Sequence, residues 1–262
     1  MFVLPLPDVK QRLKELAKKG FAKAGYHVSR AFPRYEQDGL VTVHNDHFRH
    51  VASFQAAYRR GLQAGHGVDP RFEWRVHVAL WAARASLKTR GDFVECGVNA
   101  GFISSAIMQA LSWNQLDRKY FLIDAWNGPQ TNQYNEAEIE LGKRQLAEDA
   151  MAAGSFVTDL DRVRSNFSEW PNAVVVPGVV PDILPSVPAV EVAFLHIDMN
   201  CAYPEQAALH YFWERLSPGA MVLLDDYAYF GYEQQRIAMD EAANAIGTEI
   251  LSLPTGQGLI IK

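Results

Sequence analysis

The sequence predicts an α/β fold: a seven-stranded, mostly parallel sheet that ends in an antiparallel hairpin, with a helical extension in front of it. Three observations predict it. From Gly91 onward, short near-continuous apolar runs alternate with helical segments, the pattern of parallel strands covered on both faces. Four of those runs end in carboxylates. The last stretch, T-E-I-L-S-L then P-T-G-Q then G-L-I-I-K, reads as two strands joined by a turn. That turn is too short for a crossover helix, so the final strand runs antiparallel to its neighbour.

The elements follow in order. The opening heptapeptide, M-F-V-L-P-L-P, is too short and too Pro-broken for a signal-peptide core. Residues 8–24 read as a basic amphipathic helix. Val9, Leu13, Leu16 and Ala17 share a face, and Lys10, Lys14, Lys18 and Lys19 lie mostly off it. Such a helix docks on a partner subunit or on the main domain, so a homo-oligomer is expected. Its apolar face is too short and weak to favour a membrane surface. Residues 25–70 read as irregular and rich in aromatics and histidines: His27, His44, His47, His50 and His66. N-D-H-F-R-H has no i, i+4 ligand spacing, so solvated or core histidines are expected rather than a metal site. Residues 71–89 form a helix ended by Arg90-Gly91. The expected division is therefore an extension at 1–70, for oligomerisation or as a substrate cap, and a main domain at 71–262.

Within the main domain the strands are expected at 92–96, 119–124, 173–177, 190–198 and 220–226. Helices are expected near 101–112, 136–153, 203–216 and 233–246. Pro218-Gly219 reads as the turn into the fifth strand. The whole is a Rossmann-like sheet.

Composition removes some functions. At 262 residues, 48% hydrophobic and 21% charged, the chain is an ordinary soluble globular protein. A formal charge of −5 carries no nucleic-acid signature, and no apolar run reaches the length of a membrane span. Cys96 and Cys201 form no C-x-x-C pair, which leaves no zinc or dithiol motif. A disulfide between them stays open, and a reduced cytoplasmic protein is the simpler reading.

Ligands of open α/β sheets sit outside the carboxyl ends of the strands, at the switch point of the strand order. Here those ends carry Glu95, Asp124, Asp198 and the pair Asp225-Asp226. Acids are poor strand residues, and a cluster of them repels itself unless a cation is present. One could be a helix cap; four at the ligand edge point to a site. The turn F-V-E-C-G-V-N-A-G-F, residues 93–102, sharpens the choice. A dinucleotide loop is G-x-G-x-x-G, with its second glycine against the pyrophosphate. Asn99 holds that position, and Glu95 would meet phosphate with like charge, so NAD is disfavoured. A ligand with a cationic amino-acid end and no phosphate suits the turn better, and S-adenosylmethionine is one. Gly97 would allow close approach of its amino-acid part, and Asp124 would accept from the ribose hydroxyls.

E-x-G-x-x-x-G after an apolar strand resembles motif I of class I S-adenosylmethionine-dependent methyltransferases. F-L-I-D-A-W-N-G-P (121–129), V-P-G-V-V-P-D-I-L-P (176–185), L-H-I-D followed by Tyr203, and L-S-P-G-A-M-V-L-L-D-D-Y narrow the likeness. Together they resemble the macrocin O-methyltransferase-like enzymes, which methylate sugar hydroxyls of natural products; the likeness covers roughly residues 70–262. It implies O-methylation of a small-molecule hydroxyl, with Glu95, Cys96, Gly97, Asn99, Gly101, Asp124, Ala125, Trp126 and Gly178 at the cofactor. It also implies Mg²⁺ held by Asp198, Asp225 and Asp226, whose hard oxygens suit that ion. The chain departs from the pattern at one place. The family commonly has a second acid two residues after the first, closely followed by tyrosine; here Asn200 stands there and Tyr203 comes one residue late. Asp198 is the first candidate for the base and His196, on the same side of the strand, the second. Trp126, Asn127, Gln130 and Tyr134 form a lid or an ordinary polar loop, and Cys96 packs rather than reacts. A methyltransferase without metal, and a nucleotide-fold protein that binds without methylating, are the alternatives.

Overall fold

The computed structural model describes residues 9–25, 34–65 and 67–262. The opening heptapeptide, His27 and His66 lie outside the described residues. The chain divides into two units, residues 1–36 with 41–46, and residues 37–40 with 47–262.

In the first unit, α1 (Val9–Lys23) forms where the apolar and basic residues alternate with helical period. Leu13, Leu16 and Phe21 stay exposed. A hairpin follows, β1 (Tyr35–Gln37) and β2 (Leu40–Thr42). Its turn, Asp38-Gly39, has positive φ at both residues (52° and 72°), the type I′ form that Asp-Gly favours. This turn belongs to the second unit.

The second unit opens with α2 (Ala52–Ala64) and α3 (Glu73–Ser86). The stretch expected to be irregular thus contains a four-turn helix. Phe54, Ala57, Tyr58, Gly61 and Ala64 give it a buried face at helical spacing, and that face packs on α4 (Phe102–Ala110). Gly61 is required there, because a Cβ would lie 2.5 Å from the Phe102 ring.

The sheet strands are β3 (Asp92–Cys96), β4 (Tyr120–Asp124), β5 (Ala173–Pro177), β6 (Val192–Ile197), β7 (Leu216–Leu224), β8 (Leu251–Ser252) and β9 (Gly258–Ile261). Their order is β5-β4-β3-β6-β7-β9-β8. The first five pair in parallel, and β9 runs antiparallel to both β7 and β8, as the short final turn dictates. The chain moves outward from β3 to β5, then returns to the other side of β3 with β6. The switch point therefore lies between β3 and β6. Successive residues of each strand point to opposite faces, so Phe93 enters one core with Ile107, Trp113 and Phe194, while Val94 enters the other with Phe121, Leu195 and Phe212. Both faces are buried, which is why the strands read as unbroken apolar runs.

Three boundaries differ from expectation. The helix expected over 136–153 is two, α5 (Glu136–Glu140) and α6 (Lys143–Ala152), interrupted at Gly142 with φ 79°. A further helix, α7 (Leu160–Phe167), was not anticipated; Asp159 caps it by accepting from Arg162 N. Pro218-Gly219 lies inside β7 rather than before it. The register with β6 slips there, from Val192 opposite Leu216 to Phe194 opposite Met221, and Gly219 takes the bulge with φ 85°. The helices α8 (Ala202–Trp213) and α9 (Glu233–Ile246) fall where expected. Both cysteines are free and buried, which answers the disulfide question. Among the described residues no helix is long and apolar enough to cross a membrane.

Candidate active site

The glycine turn is held by its neighbours before any ligand arrives. Gly97 has φ 89°, and a Cβ on it would fall 1.7 Å from the Asp198 carbonyl oxygen. The glycine is therefore demanded by the end of β6, not only by a ligand as the sequence suggested. Asp198 N in turn donates to Cys96 O at 2.8 Å, tying the two strand ends across the switch point.

Asp124 organises the rest of the turn. Its Oδ2 accepts from Val98 N and Asn99 N at 2.9 and 2.8 Å, and its Oδ1 from Trp126 N at 2.8 Å. A carboxylate has about four lone-pair sites, so one acceptor position remains for a ribose hydroxyl. Asn99, with φ 49°, donates from Nδ2 to Ser155 O and accepts at Oδ1 from Val157 N. Its amide thus pins residues 155–157 over the turn, a task that glycine could not perform.

A cleft opens beside this turn. Gly97, Asn99, Asp124, Ala125 and Gly178 line it, with apolar walls from Ile123, Phe156 and Val179. Those walls suit an adenine ring, and Asp124 suits a ribose, so the residues present fit S-adenosylmethionine. Four of the expected cofactor residues, Glu95, Cys96, Gly101 and Trp126, stand outside its lining. Cys96 is fully buried in the core. Gly101 begins α4 beneath the Phe167 ring, 2.3 Å from where a Cβ would be. Trp126 packs inward and donates from Nε1 to Asn99 O at 2.9 Å, so it holds the turn rather than the ligand.

Glu95 faces a second cavity. This one, of about 760 Å³, is lined by Arg75, Asp198, Asn200, Asp225 and Asp226, with Phe72, Phe102, Tyr229 and Tyr232 as aromatic walls. The two spaces share Asn99, Val157, Asp198 and Asn200. Asp198 therefore stands at the junction of a cofactor-shaped cleft and an acidic, aromatic-walled one.

His196 lies fully buried behind that junction and lines neither space. Its Nδ1 is 3.3 Å from Glu95 Oε1, and its Nε2 is 3.7 Å from Asp225 Oδ1, an ion-pair distance rather than a hydrogen bond. Burial alone would lower its pKa, but Asp225 and Glu95 on either side outweigh burial and raise it to about 10. With its pKa raised in this way, the ring is better suited to pair with the two carboxylates as a cation than to take a proton as a base. Tyr120 Oη donates to the other oxygen of Glu95 at 3.3 Å.

The acids expected to hold Mg²⁺ converge, but around another cation. Arg75 Nη1 reaches Asp225 Oδ2 at 2.5 Å and Asp226 Oδ1 at 3.4 Å, while its Nε and Nη2 grip Asp38 at 2.8 and 2.9 Å. The second oxygen of Asp225 accepts from Gln257 Nε2 at 2.9 Å. Asp198 Oδ1 accepts from Asn200 Nδ2 at 3.2 Å, and Asn200 Oδ1 from Tyr232 Oη at 2.7 Å. Against burial, which raises it, Arg75 and His196 hold Asp225 far below the usual carboxylate range. Burial and the neighbouring Asp225 push Asp226 up to about 7, and burial with both neighbours raises Asp198 well above its ordinary value. Among the described residues no group of three or more His, Cys, Asp or Glu side chains is arranged to hold a metal ion. As folded, the site does not fit Mg²⁺. Arg75, Asp38 and Gln257 went unnoticed in the sequence, because each reaches the cluster from a distant segment.

Strand order, switch point and cleft define a Rossmann-like fold of the class I methyltransferase type. Residues 80–253 match the family described as Macrocin-O-methyltransferase (TylF), and the chain belongs to that family. A relative from Streptomyces olivaceus, an 8-demethyl-8-(2,3-dimethoxy-alpha-L-rhamnosyl)-tetracenomycin-C 4'-O-methyltransferase, is 30% identical over 148 residues. That match takes in 53% of each chain, so the chain spans about half the length of this relative. Among solved structures, the O-methyltransferase NovP superposes with a TM-score of 0.60 at 21% identity, covering 72% of this chain and 79% of that one. The calicheamicin methyltransferase CalS11 gives 0.53 at 17%, covering 71% and 77%. At these identities the two structures bear on the fold.

Proposed function

We propose that the protein is an S-adenosylmethionine-dependent O-methyltransferase whose acceptor is a hydroxyl on the sugar of a glycosylated natural product. The observation that carries this reading is the shared wall at Asp198 and Asn200 between the adenosine-shaped cleft and the acidic, aromatic-walled cavity. Family membership and the relative that methylates a rhamnosyl group support it.

S-adenosylmethionine, when bound, supplies an electrophilic methyl on a sulfonium. Gly97, Asp124 and the 155–157 segment would hold its nucleoside, and the chain's own groups would do the rest. Phe72, Phe102, Tyr229 and Tyr232 offer faces for a sugar ring, and the cavity's charged rim offers partners for its hydroxyls. Holding the acceptor oxygen in line with the methyl is the main catalytic task. Asp198, at the junction, takes the hydroxyl proton; its raised pKa makes its ionised form a stronger base than an exposed carboxylate. Asn200 positions it through a hydrogen bond, while His196 joins Glu95 to Asp225 behind it. No step is assigned to Mg²⁺, because the carboxylates that would bind it are engaged by Arg75, Gln257 and Asn200.

We also read the protein as a cytoplasmic homo-oligomer. The buried free thiols of Cys96 and Cys201 agree with a reducing compartment, and the exposed Leu13, Leu16 and Phe21 of α1 agree with a second copy. The Asp38-Gly39 turn would serve as part of a cap, since Asp38 reaches Arg75.

Calorimetry with S-adenosylhomocysteine and with NAD tests the cofactor reading: the first binds and the second does not. NAD binding alone would sink the reading. Radiolabelled methyl transfer to a panel of rhamnosylated polyketides then tests the acceptor. Label on the aglycone, or on an amine, would replace the sugar hydroxyl.

A further inference from the structure

We propose that the Arg75 guanidinium is the resident cation of the carboxylate cluster, occupying the place that a divalent metal would otherwise take. This rests on the methyltransferase reading for its catalytic meaning, though not for its test.

Arg75 rises from the first turn of α3 with its side chain only 15% exposed. Nε and Nη2 form a fork on the two oxygens of Asp38, while Nη1 spans Asp225 and Asp226. The plane is flanked by the Tyr229 ring, 4.9 Å away, and the Phe72 ring, 5.4 Å away. Tyr229 Oη also donates to Asp38 Oδ1 at 3.0 Å, so the anchor is itself anchored. A guanidinium held by a bidentate fork and two aromatic faces is pre-organised, and swinging it out would forfeit all of these contacts together.

Asp225, the central acid of the cluster, offers a divalent cation no free oxygen. Mg²⁺ needs carboxylate oxygens at about 2.0–2.1 Å in octahedral array. Both oxygens of Asp225 already serve other donors, Arg75 on one side and Gln257 on the other, and Asp198 receives the neutral amide of Asn200. Entry of a metal would set two positive charges beside a buried guanidinium in a low-dielectric site. The location of the parts agrees. The family match runs from residue 80 to 253 and takes in Asp198, Asp225 and Asp226, whereas Arg75, Asp38 and Gln257 all lie outside it. Arg75 lines the acidic cavity together with Asp198, so its charge acts where a sugar hydroxyl would lie.

The test reads metal binding directly. Mn²⁺ is titrated into the full-length protein with S-adenosylhomocysteine present, free Mn²⁺ being followed by its paramagnetic resonance signal. The wild-type chain should show no stoichiometric site. Arg75→Ala should open one, with affinity at least about tenfold higher than wild type, because it leaves two buried carboxylates without their cation. Adding Asp225→Asn to Arg75→Ala should remove that site again. One Mn²⁺ per wild-type chain, lost in Asp225→Asn alone, would overturn the proposal. So would an Arg75→Ala chain that binds S-adenosylhomocysteine normally yet gains no site. If Arg75→Ala does not fold, the wild-type titration decides by itself. Failure to bind S-adenosylhomocysteine would instead count against the cofactor reading and leave the metal result standing.

Discussion

The cofactor cleft and the acidic cavity share a wall but are built in opposite ways. The first is built around backbone: the amides of Val98, Asn99 and Trp126 donate to the Asp124 carboxylate and Gly97 N donates to Ile123 O, all within two neighbouring strand ends. The second is built from side chains that arrive from far apart, Asp38, Arg75, Asp198, Asp225 and Gln257. Backbone construction makes the first cleft depend on residue type at fixed spacings. Ion-pair construction makes the second depend on which distant segments meet. Substitutions should therefore damage the two in different ways, the first through folding and the second through chemistry.

The largest effect is expected at Gly97. Gly97→Ala puts a Cβ into the Asp198 carbonyl at a positive φ, and should cost at least about 3 kcal/mol of stability. Urea unfolding measures it. A fully stable variant would show that the turn is looser than drawn and that the glycine serves a ligand after all.

Asp225→Asn is the counterpart in the acidic cavity. It removes one of the three carboxylates that hold Arg75 and unbalances His196, and methyl transfer should fall by about a hundredfold, some 2.7 kcal/mol. Affinity for S-adenosylhomocysteine should stay within a few-fold, since Asp225 does not line the cofactor cleft. Equal loss of binding and turnover would mean that the two regions are one.

The same contrast governs what could be read in advance. The near-continuous apolar runs and the acids at their ends are local patterns, and they located the strands and the carboxyl edge of the sheet. What the pattern did not carry was the partner of each acid. Nothing in F-E-W-R-V marks Arg75 as a ligand for Asp225, 150 residues away, because ion pairs have no period in sequence. Helix α2 was hidden for a related reason: its apolar face is made of Ala and Gly as much as Phe and Tyr, small residues chosen for close packing on α4. Glu95 was placed at the cofactor by its position in the turn, yet its side chain points to His196 and Tyr120, as alternation along β3 permits.

Asp124→Asn sharpens the backbone side of the comparison. One amide oxygen cannot serve Val98, Asn99 and Trp126 together, and the new NH₂ would face a backbone N–H. A stability loss of about 2 kcal/mol is expected, with weaker S-adenosylhomocysteine binding. A loss of binding at unchanged stability would assign Asp124 to the ribose alone.

The smallest effect links the two regions through Glu205 on α8. Its Oε1 accepts from Met199 N, next to Asp198, and the residue is 3% exposed. Burial first, and then Asp226, raise its pKa from 4.5 to about 8. Between those values the folded chain keeps a proton that the unfolded chain releases. The contribution is therefore favourable at low pH and fades as pH rises toward 8. Glu205→Gln keeps an acceptor for Met199 N and removes the titration. The variant's melting temperature, measured against wild type at pH 5.5 and 8.5, should gain about 2–4 °C more at the higher pH, the equivalent of about 1 kcal/mol. A difference that is flat with pH would mean that Glu205 ionises freely.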